Sequence, residues 1–523
     1  MGNYSISLIT AMLDGFKRPI TLNKRAGCDT MPILLTIDNS LVAIEKSISS
    51  IKEIDKNQHA NLGIKFQQIL QETNLIIEEI IYLQIFLELN VCFDKYKNII
   101  IKLNSLNTSN LIGIKKDTFL FSSGIKCFSF ITDSLVNCIS QENERPQGNL
   151  KAMFLDTTYY ELRVSDDSLT KYIEKDYAIE TLSYHEMMQS QANPNILFVD
   201  LYPNYVTYEN KICKTNIPEL ISKFLDNHDP LPLIVVMDTA TTLFFDDEIE
   251  TIIEKIIPFI ENKKLIFIVT SSLSKFFSCG IHKYTGGIVQ IYNNEQSAEW
   301  QHLYNFLEEK QVQDRLSDEA LNFFNVLTTN CLENIKSYLF KIRKNTDYIY
   351  HALENSLKAG NGIELKEKDE NVPMIGLSLE KWFKNFHDSP ADNYLVKFTE
   401  LMQYYIYAQA ANGNLPMHIR SSFAFAHSSI SECSTALRLT IGLEDREILD
   451  HYIAIIVKAD QSILDFLLEK NSALLQGILD CEQDLSKPII VKSAAGFSFK
   501  DFLQNLLIEY ENLAIDPISI GGI

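Results

Sequence analysis

The run Phe267-Ile268-Val269-Thr270-Ser271-Ser272-Leu273-Ser274-Lys275 reads as an apolar strand ending in hydroxyls and a lysine. An amine at such a strand end can condense with a carbonyl compound to form a Schiff base, and a Gly286-Gly287 turn into another apolar run follows closely. A second junction, Val236-Met237-Asp238-Thr239, closes an apolar strand with a carboxylate. That carboxylate needs a partner: a protonated pyridine nitrogen is one, and a helix cap or loop ion pair is the plainer alternative. The third junction, Phe121-Ser122-Ser123-Gly124-Ile125, turns from a strand into a helix. Free backbone N–H groups and a positive dipole end suit a phosphate there, while ordinary N-capping by Ser122 or Ser123 is the alternative. The fourth, Leu155-Asp156-Thr157-Thr158-Tyr159-Tyr160, offers an aromatic side chain to stack on a planar ring, although tyrosine at a strand end is also common core material.

These junctions need a scaffold that brings several strand ends to one edge. Short apolar runs at 118–121, 151–155, 195–200, 232–238, 264–270 and 286–292 alternate with helical-looking segments, which predicts a mostly parallel sheet with helices on both faces. Ligands of such sheets sit beyond the carboxyl ends of the strands, where all four junctions fall. Before the sheet, residues 37–104 carry apolar positions at three- and four-residue spacing with Gly63 as their one glycine, predicting an N-terminal helical region over 1–104. A large ligand-binding domain over 105–300 follows. A long helix after Glu299, a small α/β domain containing IGLSL, LRLTIGL and the helical DREILDHYIAIIVKA, and a tail with few familiar signals make up 301–523.

A chain of 523 residues suggests roughly three units at about 150 residues each. Its net charge of −21 disfavours nucleic acid and anionic lipid as partners. The nine cysteines form no C-x-x-C pair, and no cluster of histidine and carboxylate ligands marks a metal site, so a reducing, cytoplasmic setting without metal is expected. The greasiest stretch, 74–93, contains Glu78, Glu79 and Glu88, costly in a bilayer, and the first residues lack a secretory pattern, so no membrane partner is expected.

Taken in order, the motifs resemble those of the fold-type-I enzymes of pyridoxal 5'-phosphate (PLP), the aspartate aminotransferase superfamily. The resemblance implies a seven-stranded-type mixed sheet plus a smaller C-terminal α/β domain. It assigns Ser123, Gly124 and Ile125 to the first phosphate turn, Tyr159 to ring stacking and Asp238 to the ring nitrogen. Ser272-Leu273-Ser274-Lys275 is similar to the S-x-[ST]-K segment, with Lys275 as the Schiff-base lysine and catalytic base and Ser272 and Ser274 on the phosphate. Lys283 falls where aminotransferases keep a phosphate-binding arginine, and Asn204 resembles the asparagine on the ring's phenolic oxygen.

Ala436-Leu437-Arg438-Leu439-Thr440-Ile441-Gly442-Leu443-Glu444-Asp445 resembles the R-L-S-x-G-L-E-D signature of the Cys/Met-metabolism group, which includes cystathionine γ-synthase. By that resemblance Arg438 holds the substrate α-carboxylate, a salt bridge to Glu444 or Asp445 being the alternative. The implied activity is β/γ-elimination or γ-replacement on a sulfur-containing or O-activated homoserine-type amino acid by a homodimer. An aminotransferase, or an inactive PLP-fold assembly protein, is the alternative. The group's N-terminal Tyr-x-Arg element is not found, and the interval from Asp238 to Lys275 is longer than in that group. His282, His427, Ser421 and Ser422 are read as structural or solvent-facing, with a pocket-shaping role as the other choice.

Overall fold

The computed structural model describes residues 92–106, 114–141, 151–158, 178–204, 211–212, 214–226, 232–280, 284–294, 298–357, 362–380, 391–420, 427–433, 435–468 and 498–514, plus isolated positions elsewhere. The chain divides into two compact units, Met1–Tyr205 with Cys213–Lys341 and Ala424–Ala426, and Val206–Ile212 with Ile342–Phe423 and His427–Ile523. Most of the expected N-terminal helical region lies outside the described residues; its end is the helix α1 (Cys92–Ser105). Lys116 secures that end, donating from Nζ to the carbonyls of Leu103 and Asn104 in the last turn and of Leu106 just beyond it.

The first unit is built on a seven-stranded mixed sheet. Its elements are β1 (Lys115–Phe121), α2 (Gly124–Gln141), β2 (Lys151–Leu155), β3 (Ala178–Leu182), α3 (Tyr184–Gln189), β4 (Ile196–Asp200), α4 (Ile217–Leu225), β5 (Leu233–Asp238), α5 (Asp247–Glu261), β6 (Leu265–Ser272), β7 (Gly287–Asn293), α6 (Ala298–Gln313), α7 (Asp318–Asn330) and the start of α8 (Leu332–Leu357). The strand order is β1-β7-β6-β5-β4-β2-β3. Every neighbouring pair is parallel except those that β7 makes with β1 and β6. The expected α/β class with a mostly parallel, mixed sheet is therefore the observed one.

Covering helices explain why the strands read as unbroken apolar runs. Every residue of β4 and β5 is buried, as in parallel sheets covered on both faces. One cluster joins Ile196, Phe198, Ile234, Val236, Ile266 and Ile268 of the sheet to Ile131 and Leu135 of α2 and Leu303 and Leu307 of α6. Helix α5 buries Ile249, Ile252, Ile253, Ile256 and Ile260 at helical spacing and begins at Asp246, whose side chain accepts from the Glu248 N–H. The long interval between Asp238 and Lys275 thus holds the crossover helix α5 and then β6.

Because β7 runs against both neighbours, the carboxyl ends of β1, β2, β4, β5 and β6 meet at one edge. Gly287 at the start of β7 pairs with Phe121 on one side and Ser272 on the other. A Cβ there would lie 2.4 Å from both Cys127 Sγ and the Ser123 carbonyl oxygen. Only glycine lets the start of α2 settle this closely on the sheet.

The second unit has a five-stranded sheet of β8 (Glu364–Leu365), β9 (Ile375–Ser378), β10 (His418–Ile419), β11 (Ser429–Cys433) and β12 (Ala436–Thr440), in the order β10-β11-β12-β9-β8. Its helices are the remainder of α8, α9 (Ala391–Asn412), α10 (Arg446–Leu468) and α11 (Phe499–Ala514). The tail, in which the sequence offers few familiar signals, contains α11, whose Phe499, Phe502, Leu503 and Leu506 enter this unit's core. Their i, i+3, i+4, i+7 spacing is the signal that identifies the helix.

A buried polar knot follows β12. The Ser428 N–H donates to Glu444 Oε1, the Gly442 N–H donates to Ser428 Oγ at 3.1 Å, and Asn345 Nδ2 donates to the carbonyls of Gly442 and Glu444 at 2.9 and 3.0 Å. Burial pushes the Glu444 carboxyl up to about 7 from an ordinary 4.5. Burial, and then the charges of His418 and Arg420, push His427 down to about 3 from 6.5. The two act with opposite sign. The folded state holds the Glu444 proton longer than the unfolded one, so between pH 4.5 and 7 its contribution, on the order of 3 kcal/mol, is lost as pH rises. The unfolded state holds the His427 proton longer, so between pH 3 and 6.5 its contribution grows as pH rises. The melting temperature of Glu444→Gln should therefore gain on that of the wild type as pH rises from 4.5 to 7; a difference between the two that does not change with pH would remove Glu444 as a pH-dependent contributor.

Candidate active site

The converging strand ends build one cavity of about 220 Å³, lined by Ser123, Gly124, Ile125, Phe128, Asp238, Ala240, Ser272, Ser274, Lys275 and Thr285. Seven of the residues singled out in the sequence are thereby brought together: Ser123, Gly124, Ile125, Asp238, Ser272, Ser274 and Lys275. Each is delivered by a strand end. Ser123 Oγ accepts from the Lys126 N–H at 3.3 Å and so caps α2, leaving Gly124 and Ile125 to supply the helix's first amides. The capping alternative is thus present in Ser123, and Gly124 and Ile125 beside it line the cavity. A Cβ on Gly124 would stand 2.9 Å from Ser272 Cβ, so glycine is what lets the turn lie against β6. Across from it Ser272 Oγ and Ser274 Oγ lie 2.9 Å apart in mutual hydrogen-bond contact.

At the end of β5, Asp238 is buried and doubly held: the Ala240 N–H donates to Oδ1 at 2.8 Å and Asn204 Nδ2 donates to Oδ2 at 2.9 Å. Burial raises its carboxyl above the ordinary range, while the Lys275 charge and these hydrogen bonds pull it back. A second buried carboxylate supports the first. Asp200 ends β4 beside Asp238, accepts from the Asn204 N–H at 3.0 Å, and accepts from Thr157 Oγ1 at 2.8 Å. Asn204 is thus placed by Asp200 and spends its amide on Asp238.

Lys275 begins a short 3₁₀ turn, Phe276–Ser278. Ser278 Oγ donates to the carbonyls of Ser274 and Lys275, each at 2.9 Å, fixing the backbone from which the amine extends. Tyr159 and Lys283 lie outside the described residues, as do His282, Ser421 and Ser422. Arg438 belongs to the second unit, where it is buried on the central strand β12 opposite Gly376 and Ser431. Of the two carboxylates weighed as its salt-bridge partners, Glu444 takes the Ser428 N–H and Asp445 Oδ1 caps α10 by accepting from the Ile448 N–H at 3.3 Å.

Sequence reasoning does not single out Phe128, Ala240 and Thr285. Phe128 stands one helical turn after Gly124, and Ala240 two residues after Asp238, so spacing from another site residue is the signal available for them. Among the described residues no group of three or more His, Cys, Asp or Glu is placed to hold a metal, and no helix is long and apolar enough to cross a membrane.

The residues present fit PLP. A buried carboxylate needs a cation beside it, which a protonated ring nitrogen supplies, and a primary amine at the same cavity suits an aldehyde. A helix start beside the Ser272 and Ser274 hydroxyls suits a phosphate.

The sequence matches no protein-family model and no curated protein. Solved structures to which the chain is similar include a cystathionine gamma synthase from Xanthomonas oryzae pv. oryzae, at 12% identity and a TM-score of 0.44 over 66% of this chain and 82% of that one. A cystathionine gamma-lyase from yeast aligns at 13% identity and a TM-score of 0.45 over 70% and 86%. A methionine gamma lyase from Micromonospora echinospora aligns at 8% identity and a TM-score of 0.43 over 69% and 86%. Likenesses at this level carry no inference about activity.

Proposed function

We propose that this chain is a PLP-dependent enzyme of amino-acid metabolism that eliminates or replaces a group on Cβ or Cγ of a sulfur-containing or O-activated homoserine-type amino acid. The observation that carries the cofactor is the convergence of Asp238, Lys275 and the Ser123–Ile125 turn on one cavity. The resemblance of the segment around Arg438 to the Cys/Met-metabolism signature carries the choice of reaction.

When bound, PLP supplies an aldehyde for amines and a cationic ring that takes up the electron pair left at the substrate Cα. The protein's own groups do the rest. The Gly124 and Ile125 amides and the Ser272 and Ser274 hydroxyls grip the phosphate, with Lys283 adding charge. Asp238, oriented by Asn204 and Ala240, holds the ring-nitrogen proton. Tyr159 covers the ring face and keeps water from it. Arg438 would grip the substrate carboxylate with its bidentate fork, and Lys275 would take the Cα proton onto Nζ. The setting is a homodimer in a reducing, cytoplasmic compartment, in keeping with nine cysteines that form no C-x-x-C pair.

The test is a substrate screen on the PLP-loaded chain with cystathionine, O-substituted homoserines and cysteine. Ammonia and a 2-oxo acid are the expected products. Amino transfer to 2-oxoglutarate instead would make it an aminotransferase. No turnover, together with no PLP retained on Lys275 after borohydride reduction, would make it a binding module.

A further inference from the structure

Strand β1 is an edge strand, and its outward N–H groups need acceptors from elsewhere. Helix α6 supplies them. Gln311 Oε1 accepts from the Leu120 N–H at 2.9 Å. One turn further on, Asp314 Oδ2 accepts from the Ser122 N–H at 2.9 Å, and Ser122 Oγ donates to the same carboxylate at 2.8 and 2.9 Å. Packing of α6 on β1 sets the spacing, with the Tyr304 ring edge-on to Phe119 at 5.4 Å between centroids.

Asp314 is poorly placed for its own helix, since its N–H donates to the Lys310 carbonyl at the C-terminal end of α6, where the dipole disfavours an anion. Its charge is equally unfavourable to a phosphate bound one residue beyond Ser123. What it contributes is geometry: three contacts to the residue that enters the phosphate turn.

We propose that Asp314 is a positioning residue for the cofactor, holding Ser122 so that the Ser123–Ile125 turn is preformed for the phosphate, with Gln311 steadying the strand before it. This rests on the PLP reading above. A preformed turn spares the ligand the cost of ordering it. The effect must therefore depend on the phosphate and be absent for pyridoxal, which carries the aldehyde and ring alone.

The experiment titrates the full chain with PLP and with pyridoxal, reading the adduct absorbance, in wild type, Asp314→Ala and Asp314→Asn. Amide hydrogen exchange of the unliganded proteins is read alongside. Asp314→Ala should weaken PLP about tenfold, leave pyridoxal unchanged and speed exchange over 122–126. Asp314→Asn, which keeps an acceptor for the Ser122 N–H, should recover much of the loss. PLP binding as tight as or tighter than wild type in Asp314→Ala would overturn the proposal, because charge repulsion would then outweigh positioning. Equal losses for PLP and pyridoxal would overturn it too, as a general structural defect. Should Asp314→Ala not fold, Ser122→Ala removes one donor and should weaken PLP about threefold by the same selectivity, an unchanged affinity again counting against the proposal. A wild-type chain that forms no adduct with either compound would bring down the PLP reading itself, and this inference with it.

Discussion

Lys275→Ala should abolish the borohydride-stable adduct with PLP and lower turnover by about 10²–10⁴-fold or more, because one amine is both the anchor and the Cα base. The fold should survive. The Lys275 carbonyl accepts from the Ser278 N–H at 3.1 Å and from Ser278 Oγ at 2.9 Å, and alanine keeps that carbonyl. A further consequence follows from the opposed influences on Asp238. Burial raises that carboxyl, and the Lys275 charge is the largest effect pulling it back, so removing the charge leaves Asp238 more readily protonated. A neutral Asp238 grips a cationic ring less well, so retention of PLP by the variant should also weaken as pH falls. The checks are absorbance with and without borohydride, peptide mapping and a thermal melt. Small added amines should restore part of the turnover by supplying the missing base. An unaltered adduct, or wild-type turnover in a folded variant, would remove Lys275 from the chemistry.

What the sequence exposes and what it hides have a common physical cause. Strands buried on both faces must be apolar throughout, so the runs at 195–200 and 232–238 stand out and overlay β4 and β5 almost residue for residue. Since a parallel sheet brings its strand ends together, the residues that follow those runs are legible as a site from the chain's text alone. Strand β3, on the sheet's edge, carries the weakly patterned AIETL and gives no such signal. Asp314 reaches Ser122 across 192 positions of sequence, and a side-chain bond of that span leaves no local period to read. Asp200 stands in plain view as a strand-end carboxylate; its tie to Asn204 forms only once the turn between them is closed.

The second unit offers the larger test of stability. Lys366 Nζ lies 3.5 Å from Glu380 Oε1, with side chains only 2% and 6% exposed. The same carboxylate oxygen accepts from Thr435 Oγ1 at 2.9 Å, and the Glu380 N–H donates to Ser378 Oγ at 3.0 Å. Lys366→Met should destabilise this unit by about 3–5 kcal/mol, since it strands a carboxylate that burial deprives of water. That is a large share of the roughly 5–15 kcal/mol that holds a domain together. The double variant Lys366→Met with Glu380→Leu removes both charges and should recover most of the loss, because what is costly is a lone buried charge. If the double variant were as unstable as the single one, packing around Lys366 would be the cause and the ion pair incidental. The position of Arg438 should follow the same pattern. The Lys366 N–H donates to the Gly376 carbonyl at 3.0 Å, Gly376 faces Arg438 across the sheet, and Thr435 leads directly into β12. A loosened Lys366–Glu380 pair therefore loosens the strand that carries Arg438. Amide exchange along β12 should quicken in Lys366→Met and return toward wild type in the double variant.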